Sequence, residues 1–190
     1  IAVGFGRTGT MFGFEQAKIT PDIICLSKGI TGGYMTLSTI LTTDDIYAAF
    51  YDEYEKLNAF LHSHSYTANP IACSAANATL ELFKKEDTIK KNKDLSSHIA
   101  RCFEPLKDHP NVSDVRQKGM VLAIELIKNK KKKIPYNWKE RRGIKAYLHG
   151  LKNSVLMRPL GNVIYFMPPY VISKKQISFV SDIMKEGVDE

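Results

Sequence analysis

Hydrophobic and polar positions alternate along this chain in blocks of changing period. Residues 23–26 (Ile-Ile-Cys-Leu) are apolar in a row, closed off by Pro21-Asp22 before them and by Gly29 shortly after. A run that short predicts a buried strand and is too brief for a helix of its own. Residues 35–42 (MTLSTILT) are β-rich and predict the next strand. Thr43 or Asp44 can then cap a helix over about 45–54. The polar stretch that follows predicts a surface turn over 53–58. Asn69-Pro70 opens a helix with proline near its first turn. Ala72, Cys73, Ala75, Ala76 and Ala78 make that helix rich in small residues, which permits close packing, and residues 84–87 mark its polar end. A second amphipathic helix is predicted over about 87–106, where Ile89, Leu95, Ile99 and Phe103 recur near helical spacing. His98 on it reads as structural or solvated.

After the turn His109-Pro110-Asn111 the pattern shifts. Residues 112–127 predict a strand, a turn near Lys118-Gly119 and a second strand. A lysine-rich loop follows, then a helix over about 137–151. Residues 155–157 predict a strand, 158–162 a break, and 163–167 its hairpin partner. Ser173 caps a last amphipathic helix with Ile177, Val180 and Ile183 on one face. The expected division is therefore 1–85, part of a larger α/β domain, and 86–190, a linking helix and a small α/β domain.

Composition narrows the class. With 44% hydrophobic and 25% charged residues, the chain suits a soluble globular protein of one or two domains, and no apolar run is long enough for a membrane span. Cys25, Cys73 and Cys102 are scattered and odd in number, without metal-type spacing, and read as reduced buried thiols of a cytoplasmic protein. The net charge of +7 is largely local: Lys128, Lys130, Lys131, Lys132, Lys133, Lys139, Arg141 and Arg142 lie within fifteen residues. Such a run can bind nucleic acid or a membrane surface. Without aromatic interleaving or a binding fold, it reads instead as a solvated loop, with neither nucleic acid nor membrane as partner.

The candidate chemistry centres on Lys28. A lysine delivered to the end of a buried strand sits at the edge of a core, where partial desolvation disfavours the ammonium. A neutral amine is what an imine-forming nucleophile needs. Gly29, Gly32 and Gly33 allow positive φ or close approach of backbone to a ligand. The plainer alternative is a solvated lysine at a strand end. Upstream, Gly4-Phe5-Gly6-Arg7-Thr8-Gly9 formally matches G-x-G-x-x-G, which keeps a nicotinamide-dependent oxidoreductase open as a remote alternative. That fingerprint requires a helix starting inside the motif and an acidic residue ending the next strand, whereas Asp22 precedes the next strand. His62 and His64 suggest metal ligation, but no third ligand is placed nearby, and no metal is expected. Arg158 on a hairpin is ordinarily a surface charge; over an active site its planar fork would suit a carboxylate.

Asp22 to Lys28 with the following Gly-Gly, and the Gly-Phe-Gly-Arg-Thr-Gly loop, resemble class III (ω-type) aminotransferases over essentially the whole chain. The resemblance implies fold-type I, with a partial large domain and a small C-terminal α/β domain. It also implies pyridoxal 5'-phosphate carried on Lys28. That lysine would be displaced by a donor amine and then shuttle a proton between the substrate carbon and the cofactor. Ser27-Lys28-Gly29-Ile30-Thr31-Gly32-Gly33-Tyr34-Met35-Thr36-Leu37-Ser38 is similar to the branch that aminates 8-amino-7-oxononanoate to 7,8-diaminononanoate in biotin biosynthesis. The donor in that branch is adenosylmethionine, or lysine in some relatives. His62-Ser63-His64-Ser65-Tyr66-Thr67-Ala68-Asn69-Pro70 resembles the His-Gly-x-Thr-Phe-x-Gly-Asn-Pro segment that crosses a homodimer interface to the partner's cofactor phosphate. Ser65 falls at its Thr, His64 at its first variable position, and Ser63 and Ala68 replace its two glycines. The string from Arg158 to Tyr170 implies that Arg158 holds the substrate carboxylate and that Tyr165 sits near the reacting groups. Thr36 and Ser38 are weaker candidates on the strand after the lysine. The expected whole enzyme carries further parts before Ile1: a phosphate-binding Gly-Ser loop, a stacking aromatic and an Asp for the pyridine nitrogen. The 190 residues alone are expected to be inactive.

Overall fold

The computed structural model describes residues 1–190. They fall into two compact units: residues 1–6 with 10–88, and residues 7–9 with 89–190.

The first unit opens with a tight loop in which Phe5 (φ 55°) and Gly6 (φ 83°) are both left-handed. The loop turns Phe5 inward, edge-on to Phe12 with ring centroids 5.6 Å apart. A single helical turn, α1 (Phe14–Ala17), leads to β1 (Ile23–Ser27). After a 3-10 turn over Lys28–Thr31 comes β2 (Ser38–Thr42), antiparallel to β1 from Ile23↔Thr42 to Ser27↔Ser38. Next are α2 (Asp44–Ala48), capped by the Thr43 hydroxyl, and a 3-10 turn at Tyr54–Lys56. The helix expected over 45–54 is therefore cut short. The Asp52 carboxylate collects the Glu53 N–H and the Lys56 and Asn58 side chains into a local turn instead. The unit ends in α3 (Pro70–Glu86), whose N-cap is Asn69: its Oδ1 accepts from the N–H groups of Ile71 and Ala72 at 3.0 and 3.2 Å.

The expected burial of residues 23–26 does not hold. Only Leu26 is buried, among Phe5, Ile30 and Ala76, while Ile23 is 56% and, on β2, Ile40 63% exposed. The burial alternates: Ile24 and Leu26 face the cluster around Phe5 and Ala76, while Ile23 and Cys25 on the opposite face are exposed. The thiols also depart from expectation. All three are free, but Cys25 is exposed and Cys73 and Cys102 are half-buried.

The second unit is a four-stranded antiparallel sheet in the order β3-β4-β6-β5, packed with helices α4, α5 and α6. α4 (Thr88–Phe103) runs into a 3-10 turn at Glu104–Asp108 and then β3 (Val112–Lys118). β3 pairs with β4 (Val121–Leu126) across the Gly119-Met120 turn. The period of two is visible along β4: Leu122, Ile124 and Leu126 are buried, and Val121, Ala123 and Glu125 are half-buried. The helix expected over 137–151 is split. A 3-10 turn, Trp138–Glu140, ends at left-handed Arg141 (φ 50°), and α5 runs over Arg142–Lys152.

The strand expected at 155–157 is displaced to β5 (Arg158–Leu160), which pairs with β6 (Val163–Phe166) around a two-residue Gly161-Asn162 turn. α6 (Lys174–Asp189) closes the unit with a capping box between Ser173 and Gln176. Ile99 and Phe103 of α4, Ala146 of α5 and Ile177, Met184 and Val188 of α6 bury one sheet face together with Ile124 and Ile164. His98 is structural, as expected: its Nε2 lies 3.1 Å from both the Lys174 carbonyl and the Ser178 hydroxyl, joining α4 to α6. No helix is long and apolar enough to cross a membrane.

Candidate active site

Lys28 is the first residue after β1, and its backbone is left-handed (φ 52°). For a residue with a Cβ this conformation costs about 1–2 kcal/mol, and such outliers cluster at functional sites. The surrounding turn is fixed from several sides. The Ser27 hydroxyl donates to the Leu37 carbonyl at 2.8 Å, and the buried Thr31 hydroxyl donates to the Met35 carbonyl at 2.6 Å. Gly29 has no room for a side chain: a Cβ there would lie 2.9 Å from the Phe5 ring. Gly29 thus serves close packing against Phe5, while Gly32 and Gly33 take positive φ (60° and 87°). The Lys28 side chain itself is exposed. The burial expected for it at the strand end is not found. Thr36 and Ser38 are exposed as well.

The segment 62–68 is irregular and exposed throughout. His64 organises it. Its N–H donates to the Thr67 hydroxyl at 3.1 Å, and its Nδ1 accepts from the Tyr66 N–H at 3.1 Å. An Nδ1 that accepts leaves the neutral ring's proton on Nε2. Ala68 is left-handed (φ 57°), so one of the two glycine replacements noted in the sequence falls where glycine would be unstrained. His62 stacks against Phe60, with centroids 5.7 Å apart. No hydrogen bond joins Lys28 to Ser63, His64 or Ser65.

Arg158 and Tyr165 are brought together. They are direct cross-strand partners on β5 and β6, and the guanidinium carbon lies 5.7 Å from the Tyr165 ring centroid. Ala123 on β4 faces Tyr165 from the other side, and its small side chain leaves the ring room. Arg158 is exposed and Tyr165 half-buried. Both border a mainly apolar cleft of about 630 Å³ whose walls include Leu156, Met157, Met167 and Phe179. A cation and a phenol at the rim of an apolar cleft suit a ligand with a carboxylate and an aliphatic chain.

Motif reading passed over Arg7. Its Nη1 donates to the Pro168 carbonyl at 2.7 Å, and its guanidinium lies 4.4 Å from the centre of the Tyr170 ring. Burial pushes the Tyr170 phenol above its ordinary pKa, and Arg7 pulls it the other way. The Arg7 carbonyl accepts from the Met120 N–H at 3.0 Å. Gly119, opposite, could not carry a Cβ, which would meet the Thr8 carbonyl carbon at 2.4 Å. Residues 7–9 are thus held against the β3–β4 turn and the segment after β6. No periodicity marks a single arginine in a glycine loop, so nothing short of the fold reveals this. The same loop rules out the dinucleotide reading. No helix starts before Phe14, and β1 is antiparallel to its neighbour rather than part of a βαβ unit.

The Aminotransferase class-III family matches residues 1–188. The chain is 47% identical, over its whole length, to the adenosylmethionine-8-amino-7-oxononanoate aminotransferase of Helicobacter pylori, of which it covers 43%. It is 41% identical over 99% of its length to the enzyme of that name from Geobacter sulfurreducens, covering 42% of it. The crystal structure of the Methanocaldococcus jannaschii enzyme of that name superimposes with a TM-score of 0.92 at 41% identity, over 98% of this chain and 43% of that one. An ω-transaminase from Pseudomonas jessenii, solved in complex with PMP, matches with a TM-score of 0.91 at 25% identity. The chain thus spans about two fifths of the length of the curated relatives it matches. With the lysine turn, the glycine loop and the Arg158–Tyr165 pair in place on a fold-type I framework, this chain belongs to the class III aminotransferases.

Proposed function

We propose that the whole protein is a pyridoxal-phosphate aminotransferase that aminates 8-amino-7-oxononanoate to 7,8-diaminononanoate, with adenosylmethionine or lysine as donor. The observation that carries this reading is Lys28: an exposed amine on a strained turn fixed by Ser27, Gly29 and Thr31. The residues present fit the cofactor, since an aldehyde needs an accessible amine and Lys28 has no ion pair to break. When bound, the cofactor supplies an electron sink for carbanion character at the substrate carbon.

Lys28 Nζ would hold the cofactor at rest and, once released, would take the proton from the donor's Cα and return one to the acceptor carbon. The Ser65 hydroxyl and the Nε2–H of His64 would donate to the phosphate of the cofactor held by the partner subunit, with Ser63 beside them at the donor pocket. Arg158 binds the acceptor carboxylate through its planar fork, and Tyr165 orients the reacting end. The apolar cleft next to the Arg158–Tyr165 pair supports an aliphatic acceptor. The similarity of 62–70 to an interface segment, together with exposed Phe60, Leu61 and Tyr66, supports a homodimer that shares its sites across the interface. Three unpaired thiols support a cytoplasmic setting.

The test is borohydride reduction of the full-length protein with pyridoxal phosphate, followed by peptide mapping. A pyridoxyl group on Lys28, with turnover of 8-amino-7-oxononanoate, is the expected result. A folded protein with no label at Lys28 would overturn the proposal. Label without turnover of that acceptor would keep the chemistry and discard the substrate.

A further inference from the structure

The positive charge of this chain has an uneven distribution that the fold makes meaningful. Residues 128–142 hold eight of the 27 basic residues and only one of the 20 acidic ones, Glu140, which leaves nineteen of each sign in all the rest. The whole net charge of +7 therefore sits in fifteen residues. From sequence alone this is a solvated loop. In the structure residues 128–134 are an ordered hairpin, followed by the 3-10 turn Trp138–Glu140. Asn129 and Ile134 bridge antiparallel, the Ile134 N–H donating to the Asn129 carbonyl at 3.0 Å, and the Asn129 side chain accepts from the Lys132 N–H at 2.9 Å. The tip so fixed is Lys130-Lys131-Lys132-Lys133, with Lys133 in the left-handed region (φ 53°).

Few of these cations are neutralised. Lys130 is turned back onto the Lys107 and His109 carbonyls. Lys128 and Arg142 share Glu140, and Arg142 also stacks on Tyr136. Lys131, Lys132, Lys133, Lys139 and Arg141 have no acidic partner. Just beyond the tip, Trp138 is 77% exposed with the Lys139 ammonium 5.7 Å from its ring, and Ile134 is exposed too. Holding lysines side by side in a fixed turn opposes their mutual repulsion, and a large indole left in water gains nothing by it.

We propose that the segment 128–142, the lysine hairpin and the Trp138 turn after it, is a docking surface for an anionic lipid bilayer. Lysines at the tip would face the headgroups, and Trp138 and Ile134 would enter the interface. Clustered lysines next to an indole are the pattern that anionic membrane surfaces favour. Nucleic acid fits less well: single-strand binding needs a groove and successive aromatic platforms, while this is an exposed tip with one free aromatic, Tyr136 being held by Arg142 and Asn111. The surface is independent of the aminotransferase chemistry.

The experiment is co-sedimentation of the full-length holoprotein with vesicles of phosphatidylglycerol and phosphatidylcholine in equal parts, against phosphatidylcholine alone, at low and at high salt. Binding to the anionic vesicles only, weakened by salt, is expected. Replacing Lys131, Lys132 and Lys133 together by Ser should lower partitioning about 100-fold, and Trp138→Ala should lower it further, both with aminotransferase activity unchanged. Equal binding of the triple variant, or no sedimentation with anionic vesicles at low salt, overturns the proposal. Retention on RNA without retention on vesicles also overturns it and assigns the surface to nucleic acid.

Discussion

The two units of this chain are built from similar proportions of apolar residues and bury them very differently. The second packs three helices against a four-stranded sheet, with Ile99, Phe103, Ile124, Ile164 and Ile177 all fully buried. The first gathers only Phe5, Leu26, Ile30 and Ala76 into its core and leaves Ile23, Ile40, Leu41, Phe60 and Leu61 exposed. A two-stranded ribbon is at best marginally stable on its own. The contrast separates two roles as well. The closely packed unit carries Arg158 and Tyr165, proposed above for the acceptor. The unit that exposes its apolar strands carries Lys28, proposed above for the cofactor.

The sharpest way to break that division of roles is Lys28→Ala in the full-length protein. Transamination should fall by more than about 10⁴-fold, because in the proposed function one group both holds the cofactor and moves the proton. The fold should be unaffected, and circular dichroism and the melting temperature check that. A variant that retains a tenth of the activity would place the chemistry elsewhere. The next largest effect concerns packing. In the 190-residue chain, Phe103→Ala should destabilise by about 3–5 kcal/mol in urea unfolding, whereas Ile40→Ala should cost under about 1 kcal/mol, because its side chain is already in water. Comparable losses at both positions would refute the contrast between the units.

Arg158→Ala tests recognition against chemistry. The acceptor KM should rise about 100-fold, the magnitude of a lost charge-assisted pair, with the donor half-reaction nearly unchanged. A loss shared equally by both half-reactions would mean that Arg158 supports the fold or the cofactor rather than the carboxylate.

Legibility in the sequence follows the same divide. Helices announced by a cap and a periodic apolar face, such as α3 behind Asn69 and α6 behind Ser173, lie where the pattern puts them, because the signals are local. The hairpin around Arg158 was legible but misplaced. Gly161-Asn162 is itself a two-residue turn, with Gly161 at φ 61°, so pairing resumes at once with Leu160↔Val163 and the strand is 158–160 rather than 155–157. Burial of β1 was not legible, since four apolar residues state what a strand can bury and not whether anything covers it. The role of Arg7 was invisible for another reason. Its partners, Pro168 and Tyr170, lie more than 160 residues away in the chain. At the candidate site, the lysine, its glycines and the Arg-Tyr pair were readable because each is a short string. The left-handed backbone of Lys28 was not.

The smallest effect concerns backbone strain at Ala68. This residue stands in the left-handed region where the resembling aminotransferase segment has glycine. Its conformation is held by the turn around His64 and Thr67, whose bonds close just before it, and by Asn69, which must be aimed to cap α3. Glycine would remove the Cβ clash and retain both constraints, at the cost of a more flexible unfolded chain. The first effect is about 1–2 kcal/mol and the second somewhat less than 1, so Ala68→Gly should stabilise by about 0.5–1 kcal/mol in chemical unfolding. Destabilisation by that amount would mean that the turn relies on the stiffness of alanine. In that case the replacement of glycine in this segment would rigidify the approach to Ser65 rather than merely tolerate strain.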